Sequence, residues 1–408
     1  MSHAAPPLRD GHQIALLQGS QEFFDALIKA MDRAKHEVRL ETYIFDFTAS
    51  GADVAHALMR AARRGVATLI IVDGLGTGKL PAQWEQRFVE AGVQWRVYAP
   101  SSTLGLLIPG RWRRLHRKLC VIDGQVAFCG GINILDDFHD PNHGVLKSPR
   151  FDFAMRVCGP LAADAQNTMA QLWLRMAAVR SLKKRQLSAA VDSFRAAGRE
   201  PPPTAPMPLE RAERPHFVRA ALVLRDNIRH RARIERAYRK AISTARHEII
   251  IANAYFVPGR KMRRALEKAA QGGVRVLLLL QGRYEYFMQY YASRPVYGAL
   301  LRAGVEIHEY SPSFLHAKVA VVDGRWATVG SSNLDPLSML LAREANVMVE
   351  DAAFAADLRE RLMRAIHEGG QQMDAAQFEN RSLGERFKER VALILMRLAL
   401  MLHGKEYL

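Results

Sequence analysis

His116 and His316 lie 200 positions apart, and each opens the same phrase. The first runs His116-Arg117-Lys118, then Asp123, then Gly130-Gly131-Ile132-Asn133. The second runs His316-Ala317-Lys318, then Asp323, then Gly330-Ser331-Ser332-Asn333. Four residues separate Lys from Asp in both copies, and six separate Asp from the first Gly. Two imidazoles with two ammonium groups suit the cleavage of a phosphodiester through a phosphorylated histidine. One ring, neutral near its ordinary pKa, attacks phosphorus; the other, protonated, gives its proton to the departing alcohol. Lys118 and Lys318 donate to the nonbridging oxygens together with Asn133 and Asn333, and Ser331 adds a hydroxyl. Such donors contribute about 2.7–4 kcal/mol each where they meet developing charge. No metal and no cofactor is expected, because two lysines stand where a cation would.

Around the phrases the sequence dictates strands and turns. Asp123-Gly124 and Asp323-Gly324 interrupt apolar runs, a strong hairpin signal. Residues 115–122 read as one strand and 125–129 as its return. Residues i and i+2 of a strand share a face, so His116 points with Lys118 and His316 with Lys318. The catalytic set read from the phrase is His116, Lys118, Asp123, His316, Lys318 and Asp323, although a turn position aims both aspartates away from the cleft. Gly131 replaces Ser331 in the first copy and is expected not to matter.

The repeat extends further. Strand 37–45 alternates polar and apolar residues, as does 248–256. A helix follows each, at 52–64 and 260–271, stopped by Gly65 and by Gly272-Gly273. Buried parallel-type strands come next, at 66–72 and 274–280. Further helices end at Gly92 and Gly304, and strands close at Tyr98 and Tyr310. A β-α-β-α order met twice predicts an α/β protein of two doubly wound units related by duplication, and the doubled phrase predicts one site built from two halves. The expected divisions are 1–174, a basic and Pro-rich linker at 175–216, 217–378, and a basic amphipathic tail at 379–408.

The chain has 408 residues, enough for two cores, and 58 Lys and Arg against 41 Asp and Glu, a surplus of +17. That surplus favours polyanions, either nucleic acid or an anionic membrane face. Cys120, Cys129 and Cys158 sit in apolar runs and read as buried thiols, with a Cys120–Cys129 hairpin disulfide as the alternative. No segment reaches the ~20 apolar residues of a membrane-spanning helix. Leu383, Phe387, Val391, Ile394, Leu398 and Leu402 form one stripe of a basic tail helix; it either docks on the core or lies in a membrane interface. Residues 104–114, with Trp112 and three arginines, suit a headgroup region or a part-buried loop. Tyr284, Tyr286, Phe287, Tyr290 and Tyr291 line an acyl groove or pack a helix.

The paired phrase resembles the histidine-lysine-aspartate signature of the phospholipase D superfamily. Ala292-Ser293-Arg294, Tyr297-Gly298, Leu300-Leu301 and Ala303-Gly304-Val305 make the chain similar to bacterial cardiolipin synthases of the short type, without N-terminal membrane helices. The resemblance covers roughly residues 12–365 and implies an α/β fold of two duplicated α/β/α sandwich domains forming one active site at their pseudo-twofold interface. It implies Asp152 and Glu344 as acids that orient the histidines, with His116 as nucleophile and His316 as acid. It further implies transfer of a phosphatidyl group to phosphatidylglycerol, with a second phospholipid as possible donor and a small alcohol released. The enzyme would sit peripherally on the cytoplasmic side of the bacterial inner membrane, with no nucleic acid as partner. The rival readings are a hydrolytic phospholipase D, a nuclease acting on nucleic acid, and a non-catalytic membrane scaffold.

Overall fold

The computed structural model describes residues 5–100, 113–141, 143–183, 216–226, 230–283, 287–336 and 342–401. The first half contains β1 (Arg9–Gln18), α1 (Gly19–Arg33), β2 (Glu37–Thr42), α2 (Ala49–Arg63), β3 (Ala67–Asp73), α3 (Ala82–Ala91) and β4 (Gln94–Tyr98). After the short β5 (Arg114–Leu115) come β6 (Lys118–Ile122) and β7 (Val126–Gly130). A small hairpin, β8 (His139–Asp140) and β9 (Gly144–Val145), precedes β10 (Phe153–Cys158) and α4 (Pro160–Lys183).

The second half repeats this order: β11 (Val218–Arg225), α5 (Arg233–Thr244), β12 (Glu248–Asn253), α6 (Arg260–Gln271), β13 (Arg275–Gln281), α7 (Phe287–Arg302) and β14 (Glu306–Tyr310). Then follow β15 (Lys318–Val322), β16 (Trp326–Gly330), β17 (Ala342–Glu350) and α8 (Ala352–Gly369). The described chain ends with β18 (Gly370–Gln372), α9 (Ala375–Glu379) and α10 (Leu383–Met401).

Both halves order their strands identically, β4-β3-β2-β6-β7-β10-β1 and β14-β13-β12-β15-β16-β17-β11. β1 and β11 pair antiparallel and fuse the two, with a register shift between Arg9 and His12. The helix-connected strands β2, β3 and β4 run parallel, and the hairpin strands join them antiparallel. Each half is therefore mixed, the parallel part read from β-α-β spacing and the antiparallel part from the Asp-Gly turns.

The helices that follow parallel strands cover the outer faces. Phe24, Leu27, Val54, Leu58 and Phe88 pack against Ile70 and Val72, and Tyr238, Leu266 and Leu300 pack against Ile249 and Leu278. The inner faces bury against each other: Leu119, Val121, Cys129 and Met155 share one core with Val319, Val321, Val329 and Val347. α4 and α8 flank that core through Leu161, Met169, Phe354 and Leu358. Strands covered on both faces are apolar after their first residues, Lys118 and Lys318, and all five residues of β6 and of β15 are buried. Cys120 faces the outer helices and Cys129 the inner core, in register with Phe128 and Leu119 respectively. The alternative hairpin disulfide is thereby corrected: pleat alternation points the two thiols apart, and all three cysteines are free and buried.

Helix α4 runs to Lys183, so the start of the expected linker is helical; the rest of it, 184–215, lies outside the described residues. Most of the 104–114 stretch and Tyr284 and Tyr286 also lie outside them.

Asp123 and Asp323 are the clearest correction to the set read from the phrases. Each opens its hairpin turn at positive φ, 51° and 49°, ahead of Gly124 and Gly324. The Asp123 carboxylate accepts the backbone N–H groups of Lys35, His36 and Glu37 at 2.8–2.9 Å. Asp323 accepts those of Arg246, His247 and Glu248 at 2.8–3.0 Å. Both cap the chain entering β2 and β12, at the far end of the hairpin strand from its lysine, and neither joins the site.

Burial pushes the Asp323 carboxyl up, but its three N–H donors together outweigh this and hold it below the usual carboxylate range. A depressed folded-state pKa contributes stability above the unfolded value and loses it as pH falls. Asp323→Ala is accordingly expected to cost about 2 kcal/mol in urea unfolding at neutral pH. The gap from wild type should narrow as pH falls below about 4.

Candidate active site

Two short backbone crossings between the halves build the site. β5 pairs parallel with the start of β17, Arg114 against Ala342 and Leu115 against Arg343, and the His116 N–H donates to Arg343 O at 3.0 Å. In the other crossing Leu315 bridges Phe151 in parallel, and the His316 N–H donates to Phe151 O at 2.9 Å. The residue after each crossing point is a histidine on one strand and an acid on the other. His116 Nδ1 therefore meets Glu344 Oε1 at 2.9 Å, and His316 Nδ1 meets Asp152 Oδ2 at 2.6 Å. Each imidazole is held by the acid of the opposite half. With Nδ1 occupied, Nε2 is the nitrogen left to face a substrate.

This geometry breaks the single strand expected over 115–122. Leu115 belongs to the crossing and Lys118 to β6, with the site histidine at the break. Two side chains at matched positions secure it: Asp73, last in β3, accepts the Leu115 N–H at 2.8 Å, and Gln281, last in β13, accepts that of Leu315 at 3.0 Å. The Arg117 side chain turns to Glu41, with Nη2 to Oε1 at 2.9 Å and a second, shorter contact from Nε. Lys118 and Lys318 are buried, and each ammonium donates to the carbonyl of its own histidine, Lys118 at 2.8 Å.

Burial and crowding of positive charge dominate the electrostatics. Burial lowers the His116 pKa against Glu344, and the two lysines lower it further. Burial, Lys318, Lys118 and His116 itself hold His316 well below its ordinary value. The Lys118 ammonium is brought down to about 7 by burial, against the pull of Glu344. Burial raises the Asp152 carboxyl to about 7 despite Lys318. Burial and like charge thus hold both histidines and Lys118 toward their neutral forms, and an anionic group beside them would favour the protonated ones.

Ser331, expected to bind phosphate, is wholly buried and donates instead to Glu344 Oε2, while its Oγ accepts the Ala345 N–H at 3.1 Å. It fixes the acid that holds His116. The expectation for Gly131 is overturned as well. A Cβ there would lie 2.3 Å from Asp152 Oδ1, so the glycine makes room for the acid that holds His316. Asn133 is buried near the site, and its Oδ1 accepts the Ile44 N–H at 3.1 Å; Asn333 is buried at the matching position. Tyr43 was not foreseen. Its ring centre lies 5.0 Å from that of His116 and 5.5 Å from Lys118 Nζ, where the second half has the smaller Ala254. Only its position just after a strand could have signalled it. Among the described residues no group of three or more His, Cys, Asp and Glu side chains is placed to hold a metal.

A family model described as cardiolipin synthase, phospholipase D-like domain, matches residues 27–146 and 238–366, one match per half. Cardiolipin synthase B of Escherichia coli K12 is 36% identical over 389 residues, which cover 95% of this chain and 89% of that one. Cardiolipin synthase of Geobacillus kaustophilus is 30% identical over 95% of this chain and 73% of its own length. Among solved structures, phosphatidylserine synthase of Haemophilus influenzae superimposes with a TM-score of 0.66 at 12% identity, covering 97% of this chain and 95% of that one.

The crowding at Gly131 gives a local test. Gly131→Ser should displace Asp152 and cost about 1–3 kcal/mol in urea unfolding. Imidazole nitrogen NMR should show the His316 resonances shifted and those of His116 little changed.

Proposed function

Because the chain belongs to the cardiolipin synthase family of phospholipase D-like proteins, and is an enzyme of that kind, we propose how its residues run the reaction. A phosphatidyl group passes from one phospholipid to the free hydroxyl of phosphatidylglycerol, and a small alcohol leaves. The observation that carries this reading is the crossed pair of imidazoles, each backed by a carboxylate of the other half, over two buried lysines.

His116 Nε2 attacks phosphorus and forms a P–N bond as the bond to the departing alkoxide breaks. His316 gives its proton to that alkoxide. The acceptor hydroxyl then enters, His316 takes its proton, and the new P–O bond forms as the P–N bond breaks. Lys118 and Lys318 neutralise the nonbridging oxygens in both steps, and Asp152 and Glu344 hold the rings in the tautomer that presents Nε2. Asn133 and Asn333 line the phosphate position.

The enzyme works peripherally on the cytoplasmic face of the bacterial inner membrane. The +17 surplus supports association with an anionic membrane face.

Incubation with phosphatidylglycerol vesicles, followed by mass spectrometry of the lipids, is expected to yield cardiolipin and glycerol. His116→Ala and His316→Ala should each reduce that yield about a thousandfold or more, since members of one catalytic unit fail together. Phosphatidic acid as sole product would replace transfer by hydrolysis. Cleavage of single-stranded DNA without lipid turnover would replace both.

The pH dependence follows from the burial shifts. Asp152 must be ionised and Lys118 protonated, and both are placed at about 7. His316 must also carry its proton, and its pKa is held well below the ordinary value, so the kcat/KM profile is expected to be a narrow bell centred below pH 7, its limbs belonging to the coupled cluster. Asp152→Asn should flatten the acid limb.

A further inference from the structure

The duplicated halves differ sharply on their outer helical layers. In the first half α1, α2 and α3 carry five basic and six acidic side chains. Their counterparts α5, α6 and α7 carry eleven basic and two acidic. Much of that charge lines a groove of about 660 Å³ between α5 and α6, bordered by Arg236, Arg239, Lys240, Lys261, Arg264 and Lys268. Neither the crossed histidines nor the inter-half core involves this groove.

Helix α10 extends the same layer. It packs on α7 through Glu389 and Ala392, which are buried, and Arg381 pairs with Glu389 at 3.2 Å. The opposite side of the helix stays open. Leu383, Phe387 and Ile394 are 83%, 69% and 55% exposed and fall on one stripe, with Arg386, Lys388 and Arg390 exposed around them. An apolar stripe of this size edged by arginine and lysine is unusual on a water-facing helix.

The direction of α10 links the stripe to the chemistry. Phe378, just before it, meets Tyr297 of α7 at 6.4 Å, and Lys388 lies 5.7 Å from the Tyr291 ring. The helix thus climbs α7 from its later residues toward its first. Those first residues follow β13, whose last residue Gln281 holds the backbone one residue before His316. The stripe runs toward the site end of the second half.

We propose that α5, α6, α7 and α10 form the face by which this enzyme docks on an anionic phospholipid bilayer. The stripe of α10 enters the interface, and the groove between α5 and α6 takes lipid phosphates. The charge selects the occupant: a neutral partner explains the stripe but not the basic groove, and a second copy would set basic layer against basic layer. The placement goes beyond the reaction proposed above and is readable without turnover.

The test is co-sedimentation of the full chain with phosphatidylcholine vesicles, with and without phosphatidylglycerol, over a range of salt. Binding is expected only with phosphatidylglycerol and should weaken as salt rises. Phe387→Ser with Ile394→Ser should lower vesicle affinity about tenfold or more. Lys240→Glu, Lys261→Glu and Lys268→Glu combined should lower it about a hundredfold and reduce the salt dependence. These side chains reach solvent, so the urea midpoints should stay at the wild-type value and confirm folding.

Wild-type affinity in both variants overturns the proposal. So does a stripe variant that turns a dimer into a monomer with vesicle binding intact, or a groove variant that loses only nucleic-acid binding. Vesicle binding without lipid turnover would sink the reaction and leave the docking face standing; turnover with binding indifferent to these substitutions would do the reverse.

Discussion

Each histidine of the site depends on an acid from the other half, and that crossed dependence organises the molecule. Glu344 of the second half meets the His116 ring, and Asp152 of the first half meets that of His316. The crossings that bring them together use two residue pairs in β5 and β17 and a single bridge at Phe151 and Leu315. Contacts so short cannot hold a site in register alone. The shared inner core supplies the rigidity, since both sheets must bury their inner faces and can do so only on each other. Duplication here yields one site with two contributors, and the β1–β11 pairing fixes their relative position.

The same burial that aligns the rings sets their electrostatics. Two ammonium groups and two imidazoles share a buried space with two carboxylates, and both histidines and Lys118 are driven toward their neutral forms. An anionic phosphodiester beside these groups would favour their protonated forms. A transition state with more charge on its nonbridging oxygens gains further. Hydrogen bonds from each lysine to its own histidine carbonyl keep the ammonium groups at the floor of the site.

The sequence disclosed the repeat, the strand and helix order and the two His-x-Lys faces, because spacing and alternation are local properties. It misplaced Asp123 and Asp323 in the catalytic list for an instructive reason. Invariant spacing within a repeat marks whatever both copies need, and both copies need a carboxylate to cap the chain entering β2 or β12. Gly131 shows the converse error. Nothing local distinguishes a glycine that has lost a serine from one that clears space for an acid 21 residues onward. The crossed pairing, Tyr43 and the buried fate of Ser331 are tertiary facts, fixed by how two sheets meet and invisible to any single window. For the tail stripe the sequence posed two outcomes. The helix does dock, but through Glu389 and Ala392, with Leu383, Phe387 and Ile394 turned outward.

Departures from symmetry show where duplicated halves acquired different tasks. Tyr43 stands against the His116 ring where the matching position of the second half is Ala254. Ser331 against Gly131 gives Glu344 a hydroxyl partner where Asp152 has a backbone N–H, from Phe153 at 2.8 Å. A transfer reaction needs such inequality, because one imidazole must attack while the other carries a proton, and identical surroundings would give neither preference. The outer layers diverge too, and the docking proposed above accounts for it: an enzyme meeting a planar surface cannot present both pseudo-equivalent faces to it. Positive charge concentrated on α5 and α6, with near neutrality on α1 and α2, is what a one-sided encounter with an anionic plane demands.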